Sequence, residues 1–391
     1  MRILVLAPQP FMVPRGTPIA VRMLLETLSA RGDRVDVITF AEGQRIDIPG
    51  CRFFRVPSLP GIRHIPPGFS LKKLLSDAMM LPMIAWRQWR VRYDFVLAVE
   101  ESAYMAMLLR PLFRRPYIFD IDSSIPEQIN DKYHLPHLIL RMLNAVERAA
   151  ARRALGAIAC CPALGEQLRS YAPTLPIQIL EDVSMLEDSM TEPNADGDRY
   201  DAPVIMYVGN LEPYQGLDLL LDGLARLDLA TTPARLVVVG GTAAHITAYR
   251  ERTERLGLAD HVTFLGPMPV SELGTLLRSA TITASPRTQG RNTPMKIYSY
   301  LDSGRPLLAT RLATHTQVLD DDIAMLVEPT PAGIASGLQT LLTDPELRER
   351  LASAARARVA AEYTPAAYRR KLNAFLDQEI RPRLAATSEA S

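Results

Sequence analysis

The apolar residues of this chain fall into short continuous runs, separated by longer segments whose apolar positions recur at helical spacing. Continuous apolar strands that alternate with helices are typical of parallel sheets covered by helices on both faces. The pattern therefore predicts an α/β protein with two doubly wound, Rossmann-like domains. The predicted strands are Ile3–Ala7, Val35–Thr39, Phe95–Val99, Tyr117–Ile121, Val204–Val208, Arg235–Val239, Val262–Leu265, Thr281–Ala284 and Leu307–Ala309.

A polar segment rich in acidic residues separates the two patterns. It predicts a first domain over 1–187, a linker over 188–202 and a second domain over 203–363. Helical spacing near the C-terminus predicts a final helix over 364–381, and residues 382–391 are expected to be disordered. Open α/β sheets bind ligands beyond the carboxyl ends of their strands, so two domains facing across a cleft would hold a site in that cleft.

Composition narrows the classes of function. The chain has 391 residues, 48% of them hydrophobic and 22% charged, and this excludes a largely disordered protein. The net charge of +1 gives no basic excess for nucleic acid, so no nucleic-acid partner is expected. Cys51, Cys160 and Cys161 form no disulfide framework and lack metal-ligand spacing. No apolar stretch approaches the roughly 20 residues of a membrane-spanning helix, and we expect a soluble or peripherally attached cytoplasmic protein.

One basic segment changes this neutral picture. Residues 61–93 carry six Lys or Arg against a single acid, and the only two tryptophans, Trp86 and Trp89, lie among these cations. The pattern over 69–93 indicates a helix lying on an anionic membrane surface, on the inner face of the membrane. An amphipathic helix packed on its own sheet with a solvated basic face remains the alternative. Pro82 is expected to divide the segment into two helices.

Three loops carry candidate chemistry. In the first, Gly16 and Thr17 precede a helix over Ile19–Ala30, where glycine permits close backbone approach and free N–H groups attract anions. An ordinary strand-to-helix turn capped by Thr17 is the alternative. The second loop, VGNLEPYQG, offers Gly209, with Asn210 and Gln215 as neutral donors.

The third loop, SPRTQGRNTPMK, has three cations close to a predicted helix start, a composition that favours a diphosphate site over a solvated basic loop. The residues that it concentrates before the helix start are Arg287, Gln289, Gly290, Arg291, Asn292, Thr293 and Lys296. His315, after strand Leu307–Ala309, is a further candidate donor to a phosphate or sugar.

Together these loops resemble those of the retaining glycosyltransferases of family four, which have the GT-B fold. Family members share a glycine-containing loop after the first strand, then VGxLxxxxG at the start of the second domain. A phosphate loop follows and leads into a helix that ends in SGRP here and often in A-x-G-x-P elsewhere. The segment LGLADHVTFLGPMPVSELGTLLRSATITASP also matches, so the resemblance extends over almost the whole chain.

The resemblance implies a nucleotide-sugar donor on the second domain and an acceptor on the first. If residues 69–93 lie on a membrane, the acceptor is expected to be a lipid-linked molecule, and a glycan of the cell envelope is the other expectation. It implies transfer with retention of configuration, without an obligatory metal or other cofactor, and a final helix that crosses back to the first domain. Base recognition is expected from backbone near Gly266. Stabilisation of the leaving diphosphate is expected from Arg291, Lys296 and the helix start beside them.

The chain also departs from the family. Asn210 and Gln215 stand where members commonly have Arg and Lys that bind the diphosphate, and the two family glutamates fall at Arg291 and Ser299. In one interpretation the site is rewired, with Arg291 and Lys296 on the phosphates and Ser299 on the ribose. In the other, the chain is a catalytically degenerate accessory subunit. A GT-B nucleotide-sugar epimerase is a third possibility.

Carboxylates follow two predicted strands of the first domain. Glu100 and Glu101 follow Phe95–Val99. The segment FDIDSSIPEQI contains the end of the next strand, Tyr117–Ile121, and the loop after it, where family members often have a histidine. Carboxylates there can accept hydrogen bonds from sugar hydroxyls or act as a base. Asp122 is the predicted base, and the predicted acceptor contacts are Thr17, Glu101 and Ser123. Helix caps, ion pairs and plain solvation are the alternatives.

Overall fold

The computed structural model describes residues 1–11, 16–44, 46–58, 65, 70–186 and 201–389. The chain divides into two compact units, the first comprising Met1–Glu181 with Tyr368–Ser391 and the second Asp182–Ala367. The division falls at Glu181, six residues before the expected end of the first domain. Most of the expected linker 188–202 lies outside the described residues.

The first unit is built on a seven-stranded parallel sheet with the order β3-β2-β1-β4-β5-β6-β7. Its strands are β1 Arg2–Ala7, β2 Arg34–Thr39, β3 Cys51–Arg55, β4 Phe95–Val99, β5 Tyr117–Ile121, β6 Gly156–Ala159 and β7 Ile177–Ile179. The four strands predicted here are confirmed to within one residue. The sequence pattern missed β3 and β7, which are partly exposed edge strands, and β6, which is short and rich in small residues.

Six helices of the first unit follow in chain order. They are α1 Gly16–Ala30, α2 Leu71–Arg90, α3 Ser102–Phe113, α4 Ile125–Tyr133, α5 His137–Arg153 and α6 Pro162–Tyr171. The expected division at Pro82 is wrong, because α2 is a single helix. Proline has a backbone φ that fits a helix, and the buried side chains of Met80 and Ile84 hold both sides of Pro82 on the core.

The second unit has a six-stranded parallel sheet with the order β10-β9-β8-β11-β12-β13. Its strands are β8 Val204–Val208, β9 Arg235–Val239, β10 Val262–Gly266, β11 Ile282–Ser285, β12 Leu307–Thr310 and β13 Met325–Val327. The five strands predicted here are confirmed to within one residue at each end, and only the three-residue β13 was missed. The helices are α7 Leu217–Leu224, α8 Ala243–Arg255, α9 Leu273–Arg278, α10 Lys296–Asp302, α11 Ala313–Thr316, α12 Pro331–Thr343 and α13 Pro345–Glu362.

The last described residues are helical. After α14 Pro365–Ala374 come a π-helical turn over Phe375–Ile380 and α15 Arg381–Glu389, so the expectation of disorder is wrong for residues 382–389, and residues 390 and 391 lie outside the described residues. The Arg383 guanidinium donates to the backbone carbonyl and the carboxylate of Glu379, which bonds the turns on either side of Pro382. Residues from Tyr368 onward belong to the first unit, in agreement with the predicted helix that returns to the first domain.

The returning segment is held by ion pairs. Lys371 Nζ lies 2.7 Å from Glu181 Oε2, and Arg31 Nη2 lies 2.9 Å from Asp377 Oδ1. Both sheets are covered on their faces by helices that bury continuous apolar strands. Among the described helices, none is long and apolar enough to cross a membrane.

Candidate functional site

In each sheet the strand order reverses once, between β1 and β4 in the first unit and between β8 and β11 in the second. The carboxyl ends of parallel strands meet at one edge of the sheet, and a crevice forms where the order reverses. The loops after β8, β9 and β11 therefore share the carboxyl edge of the second sheet, and those after β1, β4 and β5 share that of the first.

Three glycines end adjacent strands at the carboxyl edge of the second sheet. Gly209 follows β8, Gly240 follows β9 and Gly266 ends β10, and all three have positive φ. Gly240 N–H donates to the Gly266 carbonyl at 2.7 Å, and Gly209 N–H donates to the Val239 carbonyl at 3.0 Å. A Cβ at Gly240 would overlap the Gly209 carbonyl oxygen. The edge is therefore bare backbone that a ligand can approach closely.

Two of the predicted loops are joined to each other. Gly216 has φ 75°, and a Cβ there would overlap the Pro286 carbonyl oxygen. Thr288 N–H donates to the Tyr214 carbonyl at 3.0 Å. The loop after β8 and the loop after β11 thus form one structure, although they are distant in sequence.

Lys296 is the cation that this junction encloses. Its Nζ donates to Gln215 Oε1 at 3.2 Å and lies 4.2 Å from the centre of the Tyr207 ring. It also lies 3.3 Å from the position that a Cβ on Gly209 would occupy. Loss of hydration, together with nearby Arg287, lowers the pKa of Lys296 to about 7. An anionic ligand bound here would stabilise the charged form of Lys296 and raise its pKa.

Arg287, one of the loop cations noted in the sequence, is buried beside Lys296. Its Nη1 donates to the Asn292 carbonyl and to Thr314 Oγ1, both at 2.9 Å, and its guanidinium lies 5.2 Å from the Tyr214 ring centre. Burial lowers the pKa of Arg287. Arg287 Nε and the hydroxyl of buried Thr293 have no hydrogen-bond partner among the described residues. These groups retain capacity for a ligand.

Three other predicted donor residues lie around this centre. Gly290 has φ 121°, and a Cβ there would come within 2.9 Å of the Arg287 guanidinium. Arg291 is exposed, and its carbonyl accepts from Gln317 Nε2 at 2.7 Å. Asn210 is also exposed, and its side chain is hydrogen-bonded to the backbone two residues on.

Two predicted ligand contacts are buried instead. Ser299 has no exposed surface, and its hydroxyl accepts a hydrogen bond from Met185 N–H at 3.0 Å. The expectation that it binds a ribose has no support in this placement. His315 is equally buried, between Ser285 Oγ at 3.0 Å and the Thr310 carbonyl at 2.8 Å, and burial lowers its pKa to about 4. The neutral imidazole connects β11 and β12 by hydrogen bonds and is not accessible to a ligand. Its expected role as a hydrogen-bond donor to a phosphate is therefore wrong.

The carboxyl edge of the first sheet carries a different set of groups. Glu100, with φ 49°, follows β4 and its N–H donates to the Asp120 carbonyl at 2.8 Å. Ser123 Oγ donates to Glu100 Oε1 at 3.0 Å. Lys73 Nζ, from α2, lies 2.7 Å from Glu101 Oε1 and 3.6 Å from Glu100 Oε2. The structure thus brings together Glu101 and Ser123, two predicted acceptor contacts.

Burial disfavours the charged forms of two carboxyls in this cluster. Burial raises the pKa of Glu101 to about 7 and that of Asp77, one turn beyond Lys73, to about 9. Burial acts against the charge of Lys73, but the two glutamates raise its pKa above the ordinary value. Sequence reasoning missed Lys73 and Asp77. Their spacing of four residues on one helix face was the available signal.

The remaining candidates of the first unit lie at the same edge. Asp122 follows β5, is partly buried, and its carbonyl accepts from Cys160 Sγ at 3.4 Å. Gly16 is the first residue of α1 and Thr17 the second, so Thr17 lies inside the helix. In the described part of the chain, no three His, Cys, Asp or Glu side chains are grouped to hold a metal ion.

Comparison with known proteins places both units. Residues 15–177 match the family model "Glycosyl transferase 4-like domain", and residues 202–344 match "Glycosyl transferases group 1". The chain is 25% identical over 365 residues to a phosphatidyl-myo-inositol mannosyltransferase of Mycobacterium leprae, covering 90% of this chain and 91% of that protein.

Two solved structures have the same fold. Sucrose-phosphate synthase from Thermosynechococcus elongatus superposes with a TM-score of 0.79 at 20% identity, covering 96% of this chain and 98% of that one. Anabaena HepE in complex with UDP and glucose superposes with a TM-score of 0.73 at 18% identity, covering 96% and 99%.

Proposed function

The chain belongs to the glycosyltransferases of family four, with the GT-B fold, and from this premise we propose that its second unit binds a nucleotide-diphosphate sugar. The sugar is transferred to a hydroxyl of an acceptor held by the first unit. The Anabaena relative in complex with UDP and glucose supports a nucleotide-sugar donor of this class.

One observation carries the proposal. Lys296 Nζ is bonded to the side chain of Gln215, the position at which family members commonly have a lysine in VGxLxxxxG. The positive charge therefore lies at the expected place although it comes from the other loop. Arg287 adds a second, buried cation with a free Nε–H. Lys296 and Arg287 together can neutralise most of the charge of a diphosphate. This favours the interpretation of a rewired donor site over that of a degenerate accessory subunit.

The positive charge of Lys296 and Arg287 would promote the transfer reaction by stabilising the leaving group. Transfer breaks the bond between the sugar and the diphosphate, and the leaving group accumulates negative charge that Lys296 and Arg287 stabilise. Arg291, Asn292 and Thr293 lie on the same loop and contribute the outer contacts. Because cations of the chain neutralise the diphosphate, no metal is required. We propose retention of configuration, as in the family.

The acceptor belongs at the carboxyl edge of the first sheet. Glu101 accepts hydrogen bonds from acceptor hydroxyls, with Lys73 and Ser123 holding the glutamates in position. Asp122 is the proposed base, and Thr17 a further contact. A glycan or a lipid-linked molecule of the cell envelope supplies the hydroxyl. The relative from Mycobacterium leprae is named for phosphatidyl-myo-inositol, which is a lipid. This name favours a lipid-linked acceptor over a glycan.

Helix α2 supports attachment to the inner face of an anionic membrane. Its exposed apolar residues are Leu71, Leu74, Leu75, Trp86 and Trp89, the last 73% exposed. The Arg90 guanidinium lies 5.7 and 5.6 Å from the two indole ring centres. Arginine beside interfacial tryptophan is the composition that binds anionic lipid surfaces. We therefore place the protein at the cytoplasmic surface of the membrane.

The test is nucleotide binding by the wild type and a lysine swap. UDP, GDP, ADP and TDP, alone and as sugar conjugates, are titrated while the melting temperature is followed, since a ligand of the native state raises it. Lys296→Gln should weaken binding by about 1.5–3 kcal/mol, the usual value of a charge-assisted hydrogen bond. Lys296→Gln combined with Gln215→Lys should restore it, because the ammonium returns to the same place.

Arg226→Gln, which removes an exposed arginine of the same unit, is the matched control and should bind as wild type. If no nucleotide raises the melting temperature of the folded wild type, the accessory-subunit interpretation replaces this one. The anomeric configuration of the product, read by NMR, tests retention, and activity in the presence of a chelator tests metal independence.

A further inference from the structure

A basic cavity lies at the other edge of the first sheet, where the strands begin. It has a volume of about 320 Å³ and is lined at the starts of β1, β2 and β3 by Arg2, Arg34, Asp36, Cys51 and Arg52, among others. This is the amino-terminal edge, opposite the edge that holds the carboxylate cluster. The cavity is therefore separate from the proposed acceptor site.

Strand register places the charges on one face. Arg2 is paired with Arg34, and Asp36 with Arg52, across neighbouring strands. Side chains alternate along a strand, so Arg34 and Asp36 point to the same side, and their partners point with them. Three arginines and one aspartate thus project to one side of the sheet.

The aspartate is already neutralised. Asp36 accepts hydrogen bonds from the Arg87 guanidinium and the Tyr93 hydroxyl, and its carboxylate lies 2.8 Å from the Arg52 guanidinium. Among the described residues, the side chains of Arg2 and Arg34 have no partner. Two adjacent guanidinium groups repel each other, so this edge has an unmet requirement for an anion.

Other acids near the cavity are also engaged. Asp33 binds the N-terminal ammonium at 2.6 Å and Arg31 at 3.0 Å. Asp94 accepts from the backbone N–H of Arg2 at 2.7 Å. Asp94 keeps its negative charge in this bond, but the three arginines that line the cavity outnumber Asp36 and Asp94, so the charge at the cavity remains positive.

The cavity adjoins the tryptophan end of α2. The Arg87 guanidinium bonds Asp36 and lies 4.1 Å from the Phe54 ring centre and 5.4 Å from that of Trp86. The exposed indoles and the unpaired arginines are thus connected through one buried side chain. Indoles concentrate at the level of lipid headgroups, and arginine binds phosphate through paired N–H groups.

We propose that this cavity binds a phosphate-bearing anion through Arg2, Arg34 and Arg52, independently of the donor site. Its volume admits a phosphate ester and exceeds the need of a single inorganic ion. The neighbouring indoles favour the headgroup of an anionic phospholipid as the source, and a soluble phosphate compound is the other source with the same chemistry.

Cys51 lines the cavity at the start of β3 and is half-buried, with its thiol 4.0 Å from the Leu25 carbonyl of α1. Labelling of this thiol requires β3 to move away from α1. An anion that bridges Arg2, Arg34 and Arg52 across the three strands opposes that movement, so Cys51 provides a local reporter. Maleimide labelling of the full chain is followed by mass spectrometry, with Cys160 as the internal reference. Pyrophosphate should slow labelling of Cys51 and leave Cys160 unchanged. Vesicles of phosphatidylcholine with phosphatidylglycerol should do the same, and vesicles of phosphatidylcholine alone should not.

Protection should need the arginines. Arg2→Gln with Arg34→Gln should raise the anion concentration for half-protection roughly tenfold or more, since two charge-assisted contacts are lost. Both side chains are exposed, so the variant should melt as the wild type does. Arg169→Gln, on α6 beside the far edge strand β7, is the matched control. Lys296→Gln should leave protection intact, which separates this site from the donor site.

Protection by pyrophosphate and by anionic vesicles supports the proposal with a lipid source, and protection by pyrophosphate alone supports it with a soluble source. Protection by anionic vesicles alone supports it with a site that needs the membrane. Unprotected Cys51 in all arms, or protection that survives in the double variant, would overturn it.

Discussion

The carboxyl edges of the two sheets have the same topology and opposite chemistry. In the second unit, three glycines leave the backbone bare and two cations, Lys296 and Arg287, lie beside it. In the first unit, Glu100 and Glu101 surround the single ammonium of Lys73. Shared strand order places loops at equivalent positions, but side chains decide which charge gathers there. One edge suits an anion, and the other suits hydroxyl groups.

The largest effect should come from breaking the charge balance of the carboxylate edge. Lys73→Met leaves buried carboxylates without their cation and should lower the free energy of unfolding by about 3–5 kcal/mol. Burial raises the folded-state pKa of Glu101 to about 7 and that of Asp77 to about 9, so both carboxyls are protonated at acidic pH and become charged as the pH rises through those values. The loss should therefore be smaller at pH 5 than at pH 8.

Urea unfolding at both pH values measures this, with exposed Lys72→Met as the control. An equal loss at the two pH values would contradict the raised pKa values of Glu101 and Asp77.

At the carboxyl edge of the second sheet, stability should depend on the backbone conformation of glycines and not on charge balance. Gly216→Ala combines a positive φ with overlap of the Pro286 carbonyl and should lower the free energy of unfolding by about 2–4 kcal/mol. Gly257→Ala has a similar φ of 70° in open space and should cost about 1 kcal/mol. Thermal unfolding of the two variants separates the loss of stability caused by overlap with Pro286 from the loss caused by the positive φ alone. Similar losses would mean that the two loops are not closely joined.

The cationic edge should also respond to pH. Lys296, with a pKa of about 7 when no ligand is bound, must be charged to bind a diphosphate, which raises its pKa. Nucleotide affinity should therefore fall as pH rises above 7, by up to about 1.4 kcal/mol per pH unit. Calorimetric titration from pH 6 to 9 measures this, and Lys296→Arg should flatten the profile. A flat wild-type profile would remove Lys296 from the diphosphate site.

The smallest effect on stability is expected at the exposed end of α2. Trp89→Ala should change the free energy of unfolding by less than about 0.5 kcal/mol, because the indole is 73% exposed. The same change should weaken sedimentation with anionic vesicles. Leu138→Ala, at an exposed residue of α5, tests whether another helix of the first unit contributes to the effect. Unchanged sedimentation of Trp89→Ala would exclude the α2 surface.

Much of the fold could be predicted, because strands buried on both faces are apolar at every position. That signal found nine of the thirteen strands in the described part of the chain. It failed at β3, an edge strand whose sequence CRFFR contains two arginines, and at the short strands β6, β7 and β13. Edge strands need not be apolar on both faces, and runs of three or four residues do not stand out.

The candidate site was predictable in its loops and less so in its contacts. Glycine spacing and the concentration of cations identified the segments around Gly209 and Lys296. The pairing of Lys296 with Gln215, 81 residues apart, could not be read from spacing. The burial of Ser299 could not be predicted either. Helical periodicity shows which residues share a face of the helix, but it does not show which part of the chain packs against that face.

The sequence alone determined the two parallel sheets, the loops that follow their central strands and the family to which they belong. These depend on local hydrophobic patterning and on short motifs. Tertiary structure decided which residues in those loops meet. It put Lys296 in the place of a missing lysine, Lys73 between two glutamates and three arginines around one cavity. Such contacts join residues far apart in sequence, and only the packing of the sheets and helices brings them together.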